Sequence, residues 1–216
     1  MARLAPSILS ASEEKFDEQM KLIEAGGADL IHYDVMDGVF VPATVNPIPV
    51  KELSKKSKLP IDVHLMVQEA GDVIEQYLSE NTKYITVHQE ACKDLKAVID
   101  KIHGFGVKAG LAINPDTPIS VLKPYFRDID LALVMSVFPG KAGQKFIPSA
   151  LIKVCELDEL RRANNYAFRI EVDGGINLDN CEMTKKSGAD ILVAGSACFG
   201  AEDIKKRCED FKKIIK

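Results

Sequence analysis

The fold this sequence predicts is a closed α/β barrel, eight parallel strands ringed by helices in the (β/α)8 or TIM-barrel manner, as a single domain over residues 1–216. Two observations predict it. Short runs rich in Val, Ile and Leu alternate with longer polar stretches of helical period, the pattern of β-α units around a parallel sheet. Eight such runs can be counted, enough to close the sheet on itself, and 216 residues lie at the lower end of the size that closure needs. The competing architecture is an open doubly wound sheet with fewer strands; its dinucleotide-binding version would show G-x-G-x-x-G after the first strand, and none is present.

In chain order the strands are expected at Leu4–Leu9, Leu30–Val35, Ile61–Met66, Tyr84–His88, Val107–Ile113, Leu131–Ser136, Arg169–Asp173 and Ile191–Ala194, each a short apolar run of strand length. Between them, Glu13–Ala25, Glu69–Glu80, Leu95–His103, Ile147–Asn164 and Ala201–Ile215 place apolar residues three and four apart, opposite charged faces, and are expected as helices of the outer ring. No Gly/Ser-rich linker, low-complexity tract or repeat interrupts the series, so no domain boundary is indicated.

Composition narrows the partners. The chain has 28 basic and 32 acidic residues, a formal charge of −4, without the basic excess of a nucleic-acid binder. Small molecules or copies of the chain itself are the expected partners. Five cysteines without a C-x-x-C pair argue against a disulfide framework and for a reducing, cytoplasmic setting. The start, MARLAPSILS, lacks the regions of a signal peptide, and no apolar run reaches the roughly 18 residues of a membrane span.

In a barrel, chemistry is expected where strands end at the C-terminal mouth. Side chains alternate along a strand, so His32, Asp34 and Met36 share one face of the second strand, and Asp62, His64 and Met66 one face of the third. The seventh strand ends on Asp173. Two imidazoles and two carboxylates converging at one mouth, His32, Asp34, His64 and Asp173, make a site for a divalent transition metal with positions left open for substrate. Each residue alone could be a bonded core His or a helix-capping carboxylate; several charged groups at one barrel end require a shared explanation. Asp62, deeper than His64, either orients that ring or bonds to backbone, and His88 is left as a neighbour of the site or plain surface. Met36, Met66 and Met135 end three strands in equivalent places, either as ordinary core filling or, as favoured here, as an apolar wall around a reacting carbon.

Glycines mark a second constellation. Gly140, Lys141, Ala142 and Gly143 follow strand six, Gly174 and Gly175 follow strand seven, and Gly195 and Ser196 follow strand eight. Any one of these pairs could be turn chemistry alone, but backbone N–H groups at glycine loops approach phosphate oxygens closely and the last loops of a barrel are a common phosphate site, so successive loops on one side point to phosphate. Lys141 either adds a charge contact or points to solvent.

Pro6-Ser7-Ile8-Leu9-Ser10, Asp34-Val35-Met36-Asp37-Gly38 with Phe40-Val41-Pro42, Asp62-Val63-His64-Leu65-Met66-Val67, Met135-Ser136-Val137, Val172-Asp173-Gly174-Gly175-Ile176 and Val193-Ala194-Gly195-Ser196 together resemble the signature segments of the ribulose-phosphate 3-epimerase family, in family order across nearly the whole chain. That resemblance implies an isomerase of carbohydrate metabolism and the pentose phosphate pathway, acting on a phosphorylated ketose and assembled as a homo-oligomer. It implies a divalent cation (Zn, Fe, Mn or Co) on His32, Asp34, His64 and Asp173, with His64 also near substrate, Asp34 and Asp173 as acid–base pair, Ser7 touching substrate, and the glycine loops holding phosphate. The implied chemistry removes the C3 proton beside the C2 carbonyl and returns one to the opposite face, without a redox cofactor.

Departures from the family pattern cluster at the mouth. Phe138-Pro139-Gly140-Lys141-Ala142-Gly143 stands where Asn-Pro-Gly-Phe-Gly-Gly is usual, Ala43–Pro47 is shorter than the usual segment, Val39 replaces a His and Asp116 a Gly. They imply retained chemistry with an altered or relaxed substrate, so beside the epimerisation of ribulose 5-phosphate to xylulose 5-phosphate that the resemblance implies first, a hexulose-phosphate 3-epimerase, acting for example on allulose 6-phosphate, is the close alternative; Gly174-Gly175-Ile176 follows the ribulose type. A lyase on this fold would use Asp-x-Lys-x-x-Asp, which the Asp34-Val35-Met36-Asp37-Gly38 strand lacks. The other alternative is a non-catalytic sugar-phosphate-binding barrel, against which the intact metal residues argue.

Overall fold

The computed structural model describes residues 1–45 and 47–216, so Asn46 of the Ala43–Pro47 segment lies outside the described residues. Eight parallel strands form the barrel: β1 (Arg3–Ala5), β2 (Ile31–Asp37), β4 (Ile61–Met66), β5 (Thr82–His88), β6 (Lys108–Ile113), β7 (Leu131–Met135), β8 (Arg169–Asp173) and β9 (Ile191–Val193). A short β3 (Thr44–Val45) pairs antiparallel with the end of β2. The ring closes between β1 and β2, where the His32 N–H donates to the Pro6 carbonyl at 3.0 Å and Ser7 bridges His32. The strands β2 and β4–β9 are almost wholly buried because helices cover one side and the packed barrel interior the other, which is why they read as near-continuous apolar runs.

The outer ring contains α1 (Phe16–Ala25), α2 (Val50–Lys56), α3 (Leu95–Gly104), α4 (Ala150–Asn164), α5 (Cys181–Lys186), α6 (Ser196–Phe199) and α7 (Ile204–Ile215). Caps set several starts: Asp94 accepts from the Ala97 N–H at 3.0 Å and Asp203 from the Lys206 N–H at 2.9 Å. Helix α7 buries Ile204, Cys208, Phe211 and Ile215 on one stripe against the barrel. Truncating Phe211 to Ala there would cost about 3–5 kcal/mol. The main core lies between sheet and helices, while a smaller one of Ala5, Leu30, Tyr84, Leu131, Ile191 and Val193 plugs the barrel interior below the mouth.

Two expectations are corrected. Glu69–Glu80 forms two 3-10 turns, Ala70–Asp72 and Ile74–Tyr77, rather than one helix. Glu69 takes a left-handed φ of 49°, from which an α-helix cannot propagate. The first strand ends at Ala5 instead of Leu9, because Pro6 ends the ladder and Ser7 caps a 3-10 turn at Ile8–Ser10. No helix among the described residues is long and apolar enough to cross a membrane.

Candidate functional site

Parallel register builds the site. It sets His32 beside Asp62, Asp34 beside His64 and Met36 beside Met66 on β2 and β4, and Met135 beside Asp173 on β7 and β8. His32 and His64 are fully buried, and Asp34 nearly so, whereas the Asp173 side chain is 17% exposed at the mouth.

The four residues expected to share a metal converge. His32 Nδ1 lies 2.8 Å from Asp62 Oδ2, so its proton has an acceptor on that side and Nε2 is left facing the cluster. Nε2 of His32 is 3.3 Å from Asp34 Oδ1 and 3.4 Å from His64 Nδ1, and His64 Nδ1 is 3.1 Å from Asp34 Oδ1. Asp173 Oδ2 lies 3.9 Å from both rings, and one ligand atom from each of the four residues falls within 4.8 Å of all the others. Every one of these atoms offers a lone pair, and so many acceptors in one buried place need a proton or a cation among them. The donor set of two imidazoles and two carboxylates suits a divalent transition metal. The Ser7 hydroxyl donates to the other Asp34 oxygen, Oδ2, at 2.5 Å.

Burial disfavours charge on all these groups, and their neighbours decide the outcome. Around His32, Asp34 and Asp62 outweigh burial and hold the imidazole well above its ordinary pKa. Asp34 shows the converse: burial would raise it, but His32 and His64 hold it well below the usual carboxylate range. For Asp173 burial dominates, only partly offset by His32 and reinforced by Asp34 and Asp62, and the carboxyl is pushed up to about 7. Two carboxyls with ligand atoms within 4.8 Å of each other are thus driven apart in acidity, one ionised and one able to carry a proton at neutral pH.

Above this cluster a pocket opens at the C-terminal ends of the strands. Asp34 and Asp173 form its floor, Met36, Met66 and Met135 part of its wall, and Ser7 one flank. Its rim contains Gly140, Lys141, Ala142 and Gly143, the Gly174–Gly175 turn, and Gly195 with Ser196. The three glycine segments expected to hold phosphate therefore face one cavity. Gly175 has φ +66°, and its Cα approaches the 144–146 backbone so closely that an added Cβ would sit 2.5 Å from Phe146 N. His64 lies beneath this lining, enclosed on all sides. Phe138 and Lys141 stand exposed on the loop, which Gln144 ties together by donating its amide to the Phe138 and Lys141 carbonyls at 2.7 and 2.9 Å.

Other buried groups widen the site. Glu171, on the same face of β8 as Asp173, is fully buried, and its two oxygens find no hydrogen-bond partner among the described residues. It forms a second cluster with His32 and Asp62, and burial together with Asp62 pushes its carboxyl well above the ordinary range. The two-residue spacing Glu171–Asp173 was the sequence signal for it. Asp62 orients His32, across the register, rather than the His64 ring of its own strand. His88 is fully buried against His64, so of its two readings it is the neighbour of the site and not surface.

A family model for the ribulose-phosphate 3 epimerase family matches residues 3–199. The ribulose-phosphate 3-epimerase of Bacillus subtilis (strain 168) is 42% identical over 214 residues, covering 98% of this chain and 99% of that protein. Ribulose-phosphate 3-epimerase 1 of Cupriavidus necator is 43% identical over 206 residues, 93% of this chain and 86% of that protein. Among solved structures, a ligand-bound crystal structure of KGPDC from Streptococcus mutans aligns with a TM-score of 0.77 at 16% identity, over 99% of this chain and 97% of that one, a likeness of fold alone.

Proposed function

The chain belongs to the ribulose-phosphate 3-epimerase family, and from that premise we propose that it interconverts ribulose 5-phosphate and xylulose 5-phosphate with Asp34 and Asp173 as the acid–base pair that takes one proton from C3 and returns another to it. The observation that carries this assignment of roles is the convergence of two carboxyls, Asp34 and Asp173, from different strands on the floor of one pocket. The two come from β2 and β8, strands separated in the barrel by β1 and β9, so they address a sugar lying between them from different sides. In one direction Asp34 removes the C3 proton and Asp173 delivers its own to the opposite face of the enediolate; in the reverse direction the roles exchange. Ser7 keeps Asp34 Oδ2 oriented by its hydrogen bond. Met36, Met66 and Met135 keep water from the reacting carbon without offering a competing acid.

His32, Asp34, His64 and Asp173 would hold the divalent cation, Zn, Fe, Mn or Co by donor type. Bound there, a divalent cation supplies Lewis-acid stabilisation of charge developing on the C2 and C3 oxygens. The glycine segments 140–143, 174–175 and 195–196 receive the phosphate through backbone N–H groups. The barrel acts as one domain, and the partner it needs is the phosphorylated ketose.

Turnover in heavy water tests this reading. Deuterium must enter C3 of the product, and Asp34→Asn and Asp173→Asn must each stop epimerisation while retaining exchange with one epimer only, opposite in the two variants. Metal content is measured in both, because loss of a ligand would imitate loss of a base. Epimerisation at the parent rate by metal-loaded Asp34→Asn would refute the assignment.

A further inference from the structure

The second nitrogen of His64 has no part in the chemistry above, yet it begins a continuous line of hydrogen bonds leading away from the site. His64 Nε2 lies 2.9 Å from His88 Nε2, and His88 Nδ1 lies 3.3 Å from Glu90 Oε2. The other Glu90 oxygen accepts from the Asn114 N–H at 2.8 Å and from the Thr117 hydroxyl. That 114–117 loop is anchored in turn by Lys153 of α4, whose ammonium donates to the carbonyls of Asn114, Pro115 and Thr117 at 3.0, 2.8 and 2.5 Å. His88 is fully buried, and its other side packs on the Phe40 ring at 4.8 Å between centroids.

Proton counting gives the line a direction. A neutral imidazole carries one N–H, and an ionised carboxylate only accepts. The loop N–H and hydroxyl on Glu90 favour its ionised form, so His88 places its proton on Nδ1 and leaves Nε2 bare. A bare Nε2 can only accept, so His64 must carry its own proton on Nε2. The His64 Nδ1 lone pair then points at the cluster, 3.1 Å from Asp34 Oδ1. Reversing both tautomers would set the bare His88 Nδ1 against the Glu90 carboxylate, two acceptors at 3.3 Å in a buried place with no cation to satisfy them, whereas the pair left facing the cluster, His64 Nδ1 and Asp34 Oδ1 at 3.1 Å, is the one that the cation of the proposed function would satisfy.

We propose that Glu90 and His88 are positioning residues which lock His64 in the Nε2–H tautomer and so hold its Nδ1 bare and aimed for a cation. The inference rests on the cation site of the proposed function. It extends the machinery to two residues that touch neither substrate nor cation, and it gives the anchored 114–117 loop a purpose.

The test is titration of the full-length, metal-stripped protein with Co²⁺ alone, followed by its visible absorption. Glu90→Gln is the informative variant: its amide can donate to His88 Nδ1 and reverse the line, forcing the His64 proton onto Nδ1. Co²⁺ affinity should fall about 10- to 100-fold, the usual effect of losing an outer partner of a metal-bound His. His88→Leu should lose at least as much. His88→Gln, whose amide oxygen accepts from His64 and whose amide N–H can reach Glu90, should stay within a few-fold of the parent. Thermal melts of the metal-free variants show whether His88→Leu folds; if it does not, Glu90→Gln and His88→Gln still decide. Parent protein that takes up no Co²⁺ overturns the cation site and this inference together. Parent protein that binds while Glu90→Gln binds equally well overturns the relay alone, as would equal losses in His88→Gln and a folded His88→Leu.

Discussion

Replacing Gly175 by Ala tests whether the turn after β8 holds the rim loop in place, and Gly143→Ala is its internal control. Both glycines have left-handed φ, +66° and +73°, so each substitution carries the backbone penalty of a non-glycine residue, about 1–2 kcal/mol. They differ in what the new methyl meets. At Gly143 the methyl would meet nothing within 4 Å among the described residues, whereas at Gly175 it would sit 2.5 Å from Phe146 N and 2.9 Å from both Gln144 O and Phe146 Cα. Backbone cannot rotate away as a side chain can, so the 144–146 segment must retreat by roughly 1 Å, an overpacking cost of about 1–3 kcal/mol beyond the backbone penalty. Gly143→Ala should therefore lose about 1–2 kcal/mol and Gly175→Ala about 2–5, with each kcal/mol lowering Tm by about 2–4 °C in a chain of this length. The functional consequence follows from the same displacement, because 144–146 directly continues the Gly140–Gly143 segment proposed to receive the phosphate. Losing one hydrogen bond to a charged phosphate costs about 1.5 kcal/mol or more, so KM for the phosphorylated ketose should rise roughly tenfold in Gly175→Ala. Calorimetric melts and steady-state kinetics on both variants provide the assay. Equal destabilisation of the two, with unchanged KM in Gly175→Ala, would refute the idea that this turn positions the loop.

Cation uptake should depend on pH with a definite sign. Asp173, near 7, and His32, held high, both carry protons in metal-free protein at pH 6 and must lose them to bind a cation, so affinity rises with pH. Asp173 alone predicts about tenfold weaker binding at pH 6 than at pH 8, and His32 steepens that further; a pH-independent Zn²⁺ affinity would contradict the pKa ordering. Elemental analysis should find about one divalent cation per chain, with activity lost on chelation and recovered on readdition. Full turnover by protein shown to be metal-free would remove the cation from the mechanism. At the rim, Phe138→Asn with Lys141→Phe should shift the pentulose-to-hexulose ratio of kcat/KM by about tenfold, the scale set by small changes in a substrate pocket. An unaltered ratio would place sugar choice elsewhere.

What the sequence by itself determined is whatever one strand or helix encodes along its own length. Two-residue alternation put His32 with Asp34 and Asp62 with His64, the eight apolar runs announced the barrel, and three- and four-residue spacing marked the stripe of α7. The strand-end rule then brought His32, Asp34, His64 and Asp173 to one mouth, and the structure places them together. Relations between strands were decided only by the tertiary structure, because register is a property of pairs. His32 lies beside Asp62 rather than Asp34 lying beside it, and that two-residue stagger hands the Asp62 carboxylate to the His32 ring instead of to His64. The same holds for Ser7, brought to Asp34 where β1 and β2 close the ring, and for His88, buried because β5 lies next to β4. Glu69–Glu80 has a helical pattern and no helix, because a left-handed Glu69 turns the chain before an α-turn can propagate. Acidity belongs wholly to the second kind of information: Asp34 and Asp173 are the same residue type at the ends of two strands, and only the arrangement of imidazoles and buried carboxyls around each makes one a stronger acid and the other a weaker one.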